Sequence, residues 1–373
     1  MWLIGLLRLL LKGQQNKEEQ QLKTIVLTGG GTAGHVTPNL ALIPNLKANG
    51  WDIQYIGSYN GIEKELVQKE NIPYHPIASG KLRRYLSVEN LKDPFKVIKG
   101  YFDAYTILKK LKPKVVFSKG GYVTVPVVLA ASHLKIPVII HESDMTPGLA
   151  NKIAMGSAKT ICVNFEETLK YVGSKGIYTG SPIRAELFKG SKGEGNRLCG
   201  FDEVRPTLLM MGGSLGARKI NEVLREALPS LLEKYNVVHI CGKNNLDESL
   251  VGLNGYKQFE YVREELPHLF AMADVMLSRA GANALAEIIA LNIPSLLIPL
   301  SQAASRGDQI LNANAMNKKG YCEVLFEENL DKSTLIEKIN NLYSNRQQFR
   351  CKMEEMTKQS GVDKVMVEIQ KYQ

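Results

Sequence analysis

TIVLTGGGTAGHVTP, residues 24–38, decides the fold. It is an apolar, β-rich run that stops at three consecutive glycines and resumes as a helix after His35 and Pro38. Gly29, Gly31 and Gly34 satisfy G-x-G-x-x-G after a strand, the spacing of dinucleotide-binding turns. That fingerprint also needs a carboxylate at the end of the second strand to hold a ribose. Here the second strand ends in Ile56, Gly57 and Ser58, so a nicotinamide or flavin enzyme is disfavoured and no cofactor is expected. What the glycines provide is close approach: without side chains, backbone N–H groups at a helix start can point at an anion or a sugar-linked phosphate.

Outward from this turn, short and almost continuously apolar runs recur at residues 53–56, 115–118, 138–141 and 160–163. Strands buried on both faces of a parallel sheet read this way. Helical patterns such as PVVLAASHL separate them, so βαβ units are the economical assembly, and His133 on that apolar helix reads as structural. TGSPIRAEL, residues 179–187, is turn-rich and without periodicity, and the domain boundary is expected near residues 179–184. The pattern then restarts in PTLLMMGGSLGARKINEVL, residues 206–224, as strand, glycine turn and helix. Further strands are predicted at residues 236–241, 275–278 and 295–299. The expectation is an α/β protein of two Rossmann-like parallel-sheet domains facing a central cleft. Residues 23–180 form the first domain and 181–360 the second, with a terminal helix over 361–373.

The chain has 373 residues, 44% of them hydrophobic, enough for two cores. Its five cysteines are scattered and form no CxxC pair, the usage of a reducing compartment. A net charge of +10 favours an anionic partner, whether nucleic acid, membrane surface or phosphorylated substrate. The opening MWLIGLLRLLLKG is too short for a spanning helix, which needs roughly 20 apolar residues. It also lacks a basic n-region and a small-residue cleavage site. Residues 1–22 read either as an interfacial helix or as a disordered leader.

Two later stretches carry ligand chemistry. In SRAGANALAEIIALNIPSLLIPL, residues 278–300, Arg279 and Gly281 fall where a strand gives way to a helix, so the amides around Ala282 and Asn283 form a second anion-facing helix start. Glu287 sits two turns into an otherwise apolar helix. A buried carboxylate persists only with a bonded partner, and a ribose diol, with two hydroxyl donors, is such a partner. In ASRGDQILNANAM, residues 304–316, Asp308 and Asn312 share a helix face beside Gln309, a mixture suited to a hydroxyl-rich ligand. Ordinary capping by Asp308 is the simpler alternative.

TGGGTAGHVTPNLAL, SKGGYVTVPVVLAA, IIHESDMTPGLANKIA, TGSPIR, MGGSLGARKINEVL, SRAGANALAEI and SRGDQILNANAM occur in one order and spacing. Together they resemble the MurG family of bacterial N-acetylglucosaminyltransferases from about residue 24 to about residue 315. The resemblance implies the GT-B fold, with UDP-GlcNAc held mainly by the C-terminal domain and a lipid-linked acceptor by the N-terminal one. It implies that Ser214 and the amides of Gly212, Gly213 and Leu215 approach the donor, that Arg184 and Arg279 are donor-site cations, and that Glu287 binds the ribose. Asn312 and Gln309 match sugar-binding positions. The first of the family's paired glutamines is replaced by Asp308, and its HEQN motif appears as HESD, which puts Asp144 in place of an amide. Both changes exchange a donor/acceptor group for one that only accepts when ionised. With Thr32, Ala33 and Gly34 of the first turn, these residues make up the expected substrate contacts.

The implied reaction is an inverting transfer of GlcNAc from UDP-GlcNAc to the 4-hydroxyl of MurNAc-pentapeptide-pyrophosphoryl-undecaprenol (lipid I), giving lipid II in peptidoglycan synthesis. His35 stands at a helix start, where the dipole disfavours imidazolium, so a neutral ring is expected. It can accept the proton of the acceptor hydroxyl or simply bond a phosphate or sugar oxygen; Asp144 and Glu142 rank behind it as bases. There is no D-x-D pair and no H-E-x-x-H, so no obligatory metal is expected.

From residue 81 to residue 119 there are eleven Lys and Arg against Glu89, Asp93 and Asp103, interleaved with Tyr85, Phe95, Tyr101 and Phe102. That is the composition of a face docking on an anionic membrane. No nucleic-acid recognition module is present. The expected location is the cytoplasmic face of the cell membrane, bound peripherally, with cell-wall synthesis proteins as further partners. Two rivals share the fold: a diacylglycerol glycosyltransferase and a UDP-GlcNAc 2-epimerase.

Overall fold

The structure, a computed structural model, describes residues 23–80, 88–202, 204–213, 216–302, 307–356 and 360–373. The leader, the basic residues Lys81, Arg83 and Arg84 with Tyr85, and the donor-site candidates Ser214 and Leu215 lie outside the described residues.

Among the described residues, thirteen strands form two sheets whose registered pairs run parallel. The first sheet holds β1 (Lys23–Thr28), β2 (Trp51–Ser58), β3 (Tyr74–Ile77), β4 (Val115–Ser118), β5 (Val138–Glu142), β6 (Thr160–Val163) and β7 (Gly176–Tyr178). Its order is β3-β2-β1-β4-β5-β6-β7. The second holds β8 (Thr207–Met211), β9 (Asn236–Ile240), β10 (Tyr256–Phe259), β11 (Val275–Ser278), β12 (Ser295–Leu297) and β13 (Cys322–Val324), in the order β10-β9-β8-β11-β12-β13. Each sheet therefore grows outward from its first strand and then reverses. The reversal falls between β1 and β4 in one sheet and between β8 and β11 in the other. In open parallel sheets, ligands bind beyond the strand carboxyl ends at such a reversal. The glycine turn after β1 and the Arg279–Asn283 segment after β11 both lie there.

Alternation along the strands shows why each sheet is covered twice. Leu208 and Met210 join one buried cluster of the second sheet, while Leu209 between them joins another. Successive side chains point to opposite faces, so both faces carry a core. Helix Arg218–Leu231, which follows the second glycine turn, buries Ile220, Val223, Leu224, Ala227, Leu228 and Leu231. This i, i+3, i+4 spacing gives a single apolar stripe against the sheet. Helix Thr37–Ala48 runs unbroken through Pro44, which lies on the exposed side. The proline does not end the helix, because a carbonyl deprived of its helical donor on that side can turn to water.

The described residues group into two compact units, those within 23–140, 150–160 and 366–373 in one and those within 141–149 and 161–365 in the other. In the first, Gln370 donates to Asn49 and Lys23 to Gln373. In the second, the 141–149 loop packs with the donor-site candidates. No helix among the described residues is long and apolar enough to cross a membrane. Helix Val88–Leu111 exposes Phe95, Ile98 and Phe102, beside Lys96, Lys99, Lys109 and Lys110. Lys119, counted with the basic face in the sequence, is only 1% exposed and leaves it, because it follows β4 into the sheet's interior.

Candidate functional site

In the first unit the turn after β1 is held from three sides. Tyr55 Oη donates to the Gly29 carbonyl at 2.7 Å, and Asn39 Nδ2 donates to the Thr28 carbonyl at 3.1 Å. Gly31, at φ +87°, adopts a backbone conformation that favours glycine, with the Tyr122 ring where a Cβ would stand. Thr32 and the short 3-10 turn Ala33–His35 form the tip, Thr32 exposed and the other three half-buried. His35 Nδ1 lies 3.1 Å from the Gly30 carbonyl and 3.1 Å from Thr32 Oγ1. A carbonyl can only accept, so this contact selects the Nδ1–H tautomer and leaves the lone pair of a neutral ring on Nε2.

Glu63 is the residue that sequence reasoning missed. It lies in helix Ile62–Lys69, is fully buried, and accepts from Gly31 N at 3.2 Å, from Ser58 N at 3.0 Å and from Ser58 Oγ. The first turn is consequently not the open anion cradle that its glycines suggest, since the Gly31 amide already serves a protein carboxylate. The sequence signal was slight: a glutamate five residues beyond Ser58, past the strand end where a ribose-binding acid belongs.

In the second unit Glu287 lies in helix Ala282–Ala290 after β11. The residue is half-buried, and no described residue donates a hydrogen bond to its carboxylate. Burial pushes its pKa from the usual carboxyl range up to about 7, and the Arg184 guanidinium pulls in the opposite direction. Arg184 Nε is itself buried without a hydrogen-bond acceptor among the described residues. A carboxylate and a guanidinium are thus close enough to interact, yet neither has its hydrogen bonds filled. Ala282 and Asn283, at the first positions of the helix capped by Gly281, offer amides that have no intrahelical acceptor.

The other candidates have protein partners. Arg279, expected at a donor phosphate, bonds Glu327 through Nη2 at 2.8 Å and the Ile298 and Pro299 carbonyls through Nη1 at 3.1 and 3.4 Å. Its guanidinium ties β11 to the chain after β12, and the cation facing Glu287 is Arg184. Arg279→Ala is expected to lower unfolding free energy by roughly 2–3 kcal/mol, because it strands a largely buried Glu327. UDP affinity of the folded fraction should stay unchanged, as checked by denaturant melts beside calorimetric titration.

Asn312 is fully buried, accepts from Met145 N at 3.1 Å, and donates to Asp144 Oδ1 at 3.2 Å and the Ala280 carbonyl at 3.3 Å. Thr146 Oγ1 donates to Asp308 Oδ1 at 3.3 Å. The shared face of Asp308 and Asn312 therefore meets the 144–146 loop. Gln309 Oε1 accepts from Leu300 N at 3.1 Å. Glu142 accepts from Asp144 N at 3.0 Å and from Gly148 N at 2.9 Å, so its two oxygens brace the loop that presents Asp144.

Residues 25–163 match the glycosyltransferase family 28 N-terminal domain, and residues 207–369 match the family 28 C-terminal domain. A protein of Lachnospira eligens named UDP-N-acetylglucosamine--N-acetylmuramyl-(pentapeptide) pyrophosphoryl-undecaprenol N-acetylglucosamine transferase is 57% identical over 346 residues, 92% of this chain and 98% of that one. A Clostridium novyi protein of the same name is 55% identical over 350 residues, 93% of this chain and 98% of its own length. The crystal structure of Acinetobacter baumannii MurG superposes with a TM-score of 0.75 at 26% identity, covering 94% of this chain and 99% of that one. The calicheamicin glycosyltransferase CalG4, at 14% identity and a TM-score of 0.69 over 94% of this chain and 98% of that one, shares the fold. The chain is thus a glycosyltransferase of the GT-B fold and belongs to glycosyltransferase family 28, in the MurG group of N-acetylglucosamine transferases.

Proposed function

We propose that this chain transfers N-acetylglucosamine from UDP-N-acetylglucosamine to the 4-hydroxyl of the N-acetylmuramyl-pentapeptide carried on undecaprenyl pyrophosphate. The observation that carries the donor half is Glu287, a half-buried residue whose carboxylate interacts with Arg184 and receives no hydrogen bond among the described residues. Two ribose hydroxyls would supply the missing hydrogen bonds, and Arg184 with the amides of Ala282 and Asn283 would hold the diphosphate.

In the transfer, His35 Nε2 takes the proton of the acceptor hydroxyl as its oxygen bonds the anomeric carbon. The bond from that carbon to the diphosphate oxygen breaks on the opposite face, and the electron pair leaves with UDP. Configuration inverts, giving a β-1,4 linkage, and no covalent enzyme intermediate is needed. Preorganised donors at the leaving diphosphate lower the barrier without reorganising during the step.

The acceptor's polyprenyl chain lies in a membrane, and helix Val88–Leu111 has a face suited to one. Phe95, Ile98 and Phe102 recur at helical spacing and are 73%, 55% and 61% exposed, with lysines alongside. A peripheral position on the inner face of the cell membrane follows. Replacing Phe95 and Phe102 together by serine is expected to cut binding to anionic vesicles about tenfold or more in flotation assays. Turnover of a water-soluble short-chain acceptor should be retained.

Purified protein given UDP-N-acetylglucosamine and a short-chain acceptor analogue is expected to release UDP and form the disaccharide. Glycosylated diacylglycerol or UDP-N-acetylmannosamine as the sole product would favour the lipid glycosyltransferase or the epimerase instead.

A further inference from the structure

Glu63 has no part in the transfer as written above, although it is the fully buried carboxylate of the turn that carries His35. Its Oε2 accepts from the amide of Gly31 at 3.2 Å. That N–H belongs to the Gly30–Gly31 peptide, and the carbonyl of the same peptide faces His35 Nδ1 at 3.1 Å. One peptide unit thus has a carboxylate on its N–H and an imidazole N–H on its oxygen. An amide whose N–H is bonded to an anion carries more negative charge on its oxygen, so the two hydrogen bonds strengthen each other.

We propose that Glu63 is a positioning residue for the transfer, acting through the Gly30–Gly31 peptide to hold His35 as the Nδ1–H tautomer and to stabilise the imidazolium formed when Nε2 takes the acceptor proton. Elsewhere a carboxylate bonded directly to a histidine does this work; here a peptide is interposed. The inference rests on the reading of His35 as the base.

Two glycines make room for the arrangement. A Cβ on Gly30 would lie 2.6 Å from the Glu63 carboxyl carbon. A Cβ on Gly121, which has φ +91°, would strike the Gly30 carbonyl oxygen and stand 3.2 Å from His35 Nδ1. The other titratable groups bordering the turn are Lys119, buried beside Gly29, Tyr55, whose hydroxyl donates to the Gly29 carbonyl, Tyr122 against Gly31, and Tyr74, whose hydroxyl donates to the Ser58 carbonyl. Burial, reinforced by Glu63, pushes all three tyrosines above their ordinary range, so none changes charge near neutrality.

The test is Glu63→Gln, which keeps shape and removes charge, in the full chain. Imidazole NMR is expected to show the His35 pKa falling by roughly half a unit to one unit. The acidic limb of the kcat/KM profile should move to lower pH by the same amount, while the plateau falls about two- to fivefold because a weaker base accepts the proton. In a His35→Ala background the substitution should change the rate no further. An unshifted His35 titration, or an equal loss of rate without His35, would overturn the proposal. Should Glu63→Gln fail to fold, Gly121→Ala must move the His35 titration in the same direction. Full activity in His35→Ala would remove the base assignment, while the titration would still report whether the two residues are coupled.

Discussion

Replacing His35 by alanine is expected to lower kcat by roughly 100- to 10,000-fold, the range over which a general base contributes, while UDP binding stays near its original strength. The retained binding follows because the groups proposed to hold UDP, Glu287 and Arg184, interact with one another in the second compact unit and His35 belongs to the first. His35→Asn sharpens the expectation. An asparagine amide can still donate toward the Gly30 carbonyl, as Nδ1 does at 3.1 Å, but it cannot take a proton. If the histidine only completed the turn, asparagine would restore the rate. If it is the base, the asparagine variant will be as slow as alanine while melting at nearly the original temperature. Single-turnover assays with the short-chain acceptor, run beside thermal melts, decide between the two.

The second large effect belongs to Glu287, and it has two opposite parts. Glu287→Gln removes a charged acceptor for two hydroxyls, a loss of roughly 1.5–3 kcal/mol, or about 10- to 100-fold in UDP dissociation constant. The same change should stabilise the free protein. In the unfolded chain this carboxyl titrates near the ordinary 4.5, but in the fold burial raises it to about 7. Between those values the folded state holds a proton that the unfolded state has released, so stability falls as pH rises through this window, and the full cost is present above pH 7. Relief of that cost makes the glutamine variant more stable at pH 8, by an amount on the order of 3 kcal/mol at most, and leaves it no more stable at pH 4. For the same reason UDP should bind the original protein more weakly as pH drops below about 7, and binding to the glutamine variant should be flat. A carboxylate with a purely structural duty would give the reverse, a less stable variant with unchanged affinity.

The interior of both sheets was legible because burial on two faces leaves a sequence little freedom. The nine runs read as strands are the nine interior strands, and residues 115–118, 160–163 and 275–278 have the bounds of β4, β6 and β11. The four strands that the sequence did not reveal, β3, β7, β10 and β13, are the four sheet edges. Tyr74–Ile77 and Gly176–Tyr178 are largely half-exposed. An edge strand has one neighbour and a wet side, so it carries no apolar run to be recognised. The resemblance in the sequence to a glycosyltransferase family agreed with the fold and with the relatives at more than half identity.

The surroundings of the candidate residues were legible only where they are local. Glu287 stands out because its helix is otherwise apolar, and its raised pKa is the same fact expressed in energy. Arg279 looks equally exposed to a ligand in its own stretch, but Glu327 comes from a turn 48 residues later, a meeting that no local pattern announces. Asn312 has the right chemistry for a sugar, yet its amide groups meet Asp144, Met145 and Ala280. Glu63 was hidden for the opposite reason: on a mostly polar helix a glutamate is unremarkable until the fold turns it inward onto Gly31.

The central claim is that a uridine diphosphate sugar is held by the second sheet's reversal point through the Glu287 carboxylate. A crystal structure with UDP bound tests it most directly. The ribose hydroxyls are expected within hydrogen-bonding distance of Glu287, with the diphosphate at Arg184 and the amides of Ala282 and Asn283. UDP seated on the Gly29–Gly31 turn, or anywhere that leaves Glu287 without a hydroxyl partner, would contradict the account.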